Sequence, residues 1–141
     1  MPTILNVSEA ASLAMHAAVL LAVTPDSPLP TRQIASALQA SPAHLSKVLQ
    51  RMGRAGLVES RPGPKGGFRL ARSAGSITLL QLYECIEGPL APNECLFATP
   101  VCRRHACILG ELLGSVNSQV SQYLARTALS DLIEVRSEGS C

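Results

Sequence analysis

Tryptophan is missing from the 141 residues, and phenylalanine and tyrosine occur only twice each. The core must therefore be built from Leu, Ile, Val, Ala and Met. Charged residues are scarce too, at 16% against 47% apolar, which excludes a charge-rich disordered chain. No long apolar run is present. The best, residues 10–23, is broken by Ser12 and His16 and falls short of the ~20 residues a bilayer crossing needs, so no membrane partner is expected. The same stretch lacks the charged start and small-residue cleavage site of an export signal. Together with an odd count of five cysteines, this predicts a reducing, cytoplasmic setting in which thiols serve metal or redox chemistry. The three histidines are scattered at 16, 44 and 105, and no nucleophile–base–orienter set can be assembled, so no enzyme is expected.

Acid is nearly absent from one segment. Residues 31–72 hold eight basic side chains and a single acid, Glu59, a net of +7; the rest of the chain, with four basic and nine acidic groups, carries −5. The formal total of +2 hides this asymmetry. A basic segment between acidic flanks is the footprint of a polyanion-binding surface.

The length fits one domain, or a small domain plus an arm. Ser8 is placed to cap a helix over 9–23 whose apolar residues recur at helical spacing. Prolines at 25, 28 and 30 mark a connection. Thr31 is expected to cap a short helix ending near Leu38, and Gln39-Ala40 reads as a turn. Ser41 followed by Pro42 is a strong helix start, with Gly56 as the stop. Residues 57–61 and 68–70 read as two short strands around the loop Pro62-Gly63-Pro64-Lys65-Gly66-Gly67. Thr78 with Gln81 forms a capping box for a helix ending near Gly88. Residues 89–108 carry no regular pattern, and helical periodicity returns from about Ile108 to Leu129.

The third helix has Leu45, Val48, Leu49 and Met52 on one side, and His44, Lys47, Arg51 and Arg54 on another. A mostly basic stripe on the second helix of a helix–turn–helix is what a DNA major groove admits. Lys and Arg can neutralise phosphates or read guanine, and Gln50 can read adenine. The glycine-rich loop between two strands reads as a wing whose Lys65 can reach phosphates or a narrow minor groove. The candidate DNA-binding set is Thr31, Ser41, His44, Ser46, Lys47, Gln50, Arg51, Arg54, Arg61, Lys65 and Gly66. A nucleotide-binding loop is excluded because a strand, not a helix, follows the glycines.

Cys95, Cys102 and Cys107 fall within thirteen positions at C-x6-C and C-x4-C spacing. Thiolates favour zinc, copper(I) and iron–sulfur clusters. His105 could complete a zinc site. Cys85 reads as a small core residue, and Cys141 as terminal and unengaged.

The run Arg54-Ala55-Gly56-Leu57-Val58 followed by Gly63-Pro64-Lys65-Gly66-Gly67-Phe68-Arg69-Leu70-Ala71-Arg72 resembles the Rrf2 family of bacterial winged-helix transcription regulators. Ile77, Leu79, Ile86 and Glu87-Gly88 continue the resemblance, which spans about residues 5–134. It implies a mainly α fold: a winged helix-turn-helix with a small two-stranded β wing and a long C-terminal dimerisation helix. The expected division is a DNA-binding domain at 1–88, a cysteine loop at 89–108, a dimerisation helix at 109–134 and a flexible tail at 135–141. The resemblance further implies a homodimeric repressor on a pseudo-palindromic operator in double-stranded DNA. It implies that Cys95, Cys102 and Cys107 hold an iron–sulfur cluster, [2Fe–2S] favoured over [4Fe–4S], sensing redox, nitric oxide or iron status. The chain departs from the family's two five-residue gaps. Where iron–sulfur-assembly regulators have a ligating histidine it has Gly110, leaving Glu9, His16 or His105 as the fourth ligand. The alternatives are a zinc-binding or thiol-redox winged-helix regulator without a cluster, and an iron–sulfur carrier that does not bind DNA.

Overall fold

A computed structural model describes residues 7–91, 95–102 and 107–136. In chain order the elements are α1 Glu9–Val23, α2 Thr31–Leu38, α3 Pro42–Arg54, β1 Val58–Arg61, β2 Gly67–Leu70, a short 3-10 turn Ala74–Ser76, α4 Leu79–Glu87, α5 Leu112–Arg126 and α6 Leu129–Arg136. The architecture is mainly α with one two-stranded antiparallel hairpin, as expected.

Helix α1 is the central element and packs against α2, α3, α4, α6 and β2. Its inward residues are mostly small: Ala11, Ala14, Ala17 and Ala18 are fully buried, with Leu21 beside them. Ser8 starts the helix by accepting a hydrogen bond from the Ala11 N–H at 3.1 Å. The Ser8 hydroxyl also hydrogen-bonds the Glu87 carboxylate at the end of α4, joining the two helix ends. Around α1 the core is completed by Ile34, Leu45, Leu49, Met52, Leu57, Ile77, Leu82 and Leu129, each at most 2% exposed.

Thr31 does not cap α2. The N-cap is Pro30, without a side-chain hydrogen bond, and Thr31 is the first helical residue. The cause is tertiary. Leu29 pairs with Phe68 of β2 through both backbone hydrogen bonds, each 2.9 Å, and this extended pairing delivers the chain to α2 at Pro30. Ser41 and Thr78 do cap α3 and α4, and the Thr78–Gln81 capping box is complete.

The C-terminal helical stretch also departs from expectation. The helix begins at Leu112, not near Ile108, and periodicity through 127–129 conceals a break. Thr127 turns extended (φ −96°, ψ 110°), and residues 127–129 pair with 77–79 through Leu79 N–H to Thr127 C=O (3.0 Å) and Leu129 N–H to Ile77 C=O (2.9 Å). The Asp131 carboxylate then accepts from the Ala128 N–H at 2.9 Å and starts α6. Helix α6 folds back on α1 and places Leu129 at 0% exposure in the core. The 109–134 stretch is thus two helices: α6 reaches into the core, while α5 lies against α4 with Leu124 partly buried and none of its residues fully buried.

Because Leu129 is wholly enclosed, Leu129→Ala should cost about 2–5 kcal/mol in urea unfolding through lost burial and a residual cavity. A change under about 0.5 kcal/mol would mean that α6 is a detachable tail rather than part of the core.

Candidate nucleic-acid interface

The turn between α2 and α3 is made by Gln39 in the left-handed region (φ 53°), with the Ala40 N–H bonded to the Ala35 carbonyl at 2.9 Å. Ser41 accepts from the His44 N–H at 3.3 Å and sets where α3 begins. From that start Leu45, Val48, Leu49 and Met52 fall inward, while Ser41, Lys47, Gln50, Arg51 and Arg54 are exposed, with His44 and Ser46 half-buried. Lys47, Arg51, Arg54 and Lys65 are exposed and make no ion pair among the described residues.

The wing is β1 paired with β2 in the register Val58↔Leu70, Glu59↔Arg69, Ser60↔Phe68 and Arg61↔Gly67. Two glycines are required by close approach. A Cβ on Gly66 would lie 2.0 Å from the Arg61 carbonyl oxygen, and one on Gly67 would lie 2.3 Å from the Leu29 backbone. The second approach seats the hairpin on the α1–α2 connection, so the wing is held in a fixed relation to the helix-turn-helix. Lys65 and Gly66 sit at its tip beside a shallow hollow shared with Asp26, Ser27, Pro28 and Pro30.

Glu59 has a role that residue spacing did not expose. Its Oε1 accepts from Arg69 Nε at 2.5 Å and from Arg61 Nη2 at 3.1 Å. A partly exposed pair of this kind is worth about 0–1 kcal/mol of stability. Its consequence lies in where it holds the two guanidinium groups. The available signal was that residues 59 and 69 face one another once the hairpin register is known.

The cysteines are less gathered than the interface. Cys95 and Cys107 are half-buried and Cys102 is exposed, and no disulfide joins the described cysteines. Cys107 borders an open hollow with Gly110, Glu111, Gly114 and Ser115 at the start of α5. Among the described residues no three His, Cys, Asp or Glu side chains come together to hold a metal ion. His105 lies outside the described residues, as does Cys141. Glu9 is exposed in the first turn of α1. His16, farther along the same helix, is also exposed, and its Nδ1–H donates to the Ser12 carbonyl at 2.7 Å. A carbonyl can only accept, so the neutral imidazole carries its free lone pair on Nε2. Cys85 is half-buried on α4, and its Sγ–H donates to the Leu82 carbonyl at 3.1 Å. Burial pushes this thiol's pKa up, partly opposed by the Arg51 guanidinium, which makes Cys85 a poor nucleophile near neutral pH.

Individually replacing Lys47, Arg51 or Lys65 by Ala should weaken duplex DNA binding and leave folding intact. Removing one phosphate interaction lowers the log–log salt slope by about 0.9. Removing a base interaction instead costs roughly 1–3 kcal/mol on a specific site only. Fluorescence anisotropy over a salt series separates these cases; unchanged affinity in all three variants would remove α3 and the wing as the interface.

The Rrf2 family, described as iron-dependent transcriptional regulators, matches residues 7–135. A putative regulator of the helix-turn-helix type from Aquifex aeolicus is 28% identical over 131 residues, covering 91% of each chain. The regulator NsrR of Geobacillus kaustophilus is 33% identical over 116 residues, covering 75% of this chain and 76% of its own. Among solved structures, CymR, the global cysteine regulator of Bacillus subtilis, superposes with a TM-score of 0.78 at 26% identity, covering 94% of this chain and 98% of its own. The basic helix-turn-helix, the seated wing and the match across nearly the whole chain converge: this protein belongs to the Rrf2 family of winged helix-turn-helix transcriptional regulators.

Proposed function

We propose that the protein is a homodimeric regulator that binds a pseudo-palindromic operator through α3 and the wing, and that the thiols of Cys95, Cys102 and Cys107 receive the signal. The observation that carries this reading is the position of the cysteine segment. It connects α4, in the DNA-binding core, to α5, the helix with no buried residue of its own. Leu112, Val116 and Tyr123 are 59%, 37% and 48% exposed on α5, an apolar face suited to a second copy of the same helix. Two copies would present two α3 helices to successive major-groove faces.

The chemistry at the cysteines is thiol chemistry first. Within one chain the described residues do not form a ligand set. Oxidation of two of these thiols to a disulfide releases two protons and two electrons to an oxidant such as a peroxide, and it shortens the linker that joins α4 to α5. Such a change acts on DNA binding only where the two linker states differ in operator affinity. Zinc held by the same thiolates belongs to this reading.

A second reading is favoured by the hydrogen bond between His16 Nδ1 and the Ser12 carbonyl. The three soft thiolates suit an iron–sulfur cluster, and His16 Nε2 is a donor on α1 whose lone pair is already oriented by a backbone hydrogen bond. The group would make the site responsive to oxygen, nitric oxide or iron supply. The chain's own part would be to supply Cys95, Cys102 and Cys107 from the linker and His16 from α1 of the same or the partner subunit.

Anaerobically purified protein distinguishes the two. Thiol sensing predicts little bound sulfide and operator affinity that falls or rises reversibly with oxidant, a response lost in at least two of the three Cys→Ala variants at 95, 102 and 107. The cluster reading predicts iron and sulfide in comparable amounts, lost in the same variants and reduced in His16→Ala. Operator affinity that ignores oxidant, iron and all three cysteines would reject the segment as a sensor.

The dimer is tested separately. Val116→Glu should convert dimer to monomer in sedimentation equilibrium and abolish tight operator binding, with the far-UV spectrum unchanged. A monomeric wild type at micromolar concentration would overturn it.

A further inference from the structure

Glu59 is the single acid in the +7 segment, and it sits on the wing rather than at its margin. In the hairpin register it lies directly across from Arg69, and side chains two apart on a strand share a face, so Glu59, Arg61 and Arg69 stand together. The opposite face carries Val58 and Leu70, which pack on the core. One carboxylate oxygen, Oε1, serves both guanidinium groups. The three side chains keep 32%, 41% and 49% of their surface in the order Arg69, Glu59, Arg61, so exposure rises toward the wing tip where Lys65 stands.

An arginine has five N–H donors, and Arg61 uses one Nη2 donor on Glu59. The rest of its fork remains available, with its plane and position set by the ion pair. A carboxylate this close to the DNA-facing surface also repels backbone phosphates. The two effects act differently on different DNA. Where Arg61 enters a groove with Glu59 still attached, the wing keeps its ion pair and meets the duplex preorganised. Where only phosphates are offered, Arg61 and Arg69 must leave Glu59 to reach them, and the uncovered carboxylate then faces like charge.

We propose that Glu59 is a specificity-determining residue: as an internal stand-in for phosphate it holds Arg61 and Arg69 and selectively lowers affinity for non-cognate DNA. This rests on the wing being part of the DNA interface. Nothing in the helix-turn-helix supplies the same brake, because Lys47, Arg51 and Arg54 have no acidic partner among the described residues.

The test uses the full chain, with wild type, Glu59→Gln and Glu59→Asp compared by fluorescence anisotropy over a salt series. The probes are a duplex enriched from a random pool by the wild-type protein and a scrambled duplex of the same composition. Glu59→Gln keeps the shape and removes the charge. It should bind the scrambled duplex roughly five- to tenfold more tightly near 0.1 M salt, with a slope steeper by about 0.9, the increment for one additional neutralised phosphate. On the enriched duplex its affinity should stay within about twofold of wild type, so the specificity ratio falls. Glu59→Asp keeps the charge and should restore wild-type affinity for the scrambled duplex. Equal changes on both duplexes, or weaker binding of Glu59→Gln to scrambled DNA, would overturn the proposal while leaving the wing as an interface. Failure of the wild type to enrich any duplex would overturn the DNA-binding reading with it.

Discussion

Ala11, Ala14, Ala17 and Ala18 occupy almost no space on the buried side of α1, and the packing of every neighbouring element depends on that. Interhelical distance is set by the side chains where two helices meet. A helix with methyl groups on its inner face lets α2, α3, α4, α6 and the wing strand gather around one axis. Apart from Leu13 and Leu21 of α1 itself, the larger residues come from the surrounding elements, Ile34, Leu45, Leu49, Met52, Leu82 and Leu129, so most of the volume missing from α1 is filled by its neighbours. A larger residue at any of these alanines would force several elements apart at once, because close-packed interiors have no slack to absorb it.

On this core, position passes to the functional surface through backbone pairing. Leu29–Phe68 fixes the wing to the α1–α2 connection, and Ser41 fixes the start of α3. The paired segments 77–79 and 127–129 tie the beginning of α4 to the end of α5. These last bonds bear directly on the proposed regulation. Helix α5 is attached to the core at its C-terminal end by this pairing and at its N-terminal end through the cysteine segment. In that proposal a change at the cysteines would act on a helix whose C-terminal end is already anchored.

The wing shows how electrostatics and topology combine. A basic surface alone gives affinity that any duplex satisfies. Discrimination requires a group that makes the wrong complex worse. The pairing of Glu59 with Arg61 and Arg69 supplies such a group, and it exists only because a hairpin brings residues ten positions apart to the same face.

The sequence by itself determined the features governed by local rules. Ser8, Ser41 and Thr78 each announced a helix start that their own hydroxyls stabilise, the glycines announced the wing, and the 3.6-residue period separated the buried from the basic side of α3. The run from Arg54 to Arg72 carried enough of this pattern to indicate the family. Tertiary structure decided the rest. Thr31 had the chemistry of a cap, yet pairing of Leu29 with a strand far along the chain shifted the cap to Pro30. Apolar spacing continued smoothly through Thr127 and Ala128, yet hydrogen bonds to residues 77–79 broke the helix there. The partnership of Glu59 with Arg69 likewise depended on register. In the first two cases long-range backbone pairing outweighed a local preference worth about 1 kcal/mol, and sequence periodicity carries no information about such pairing.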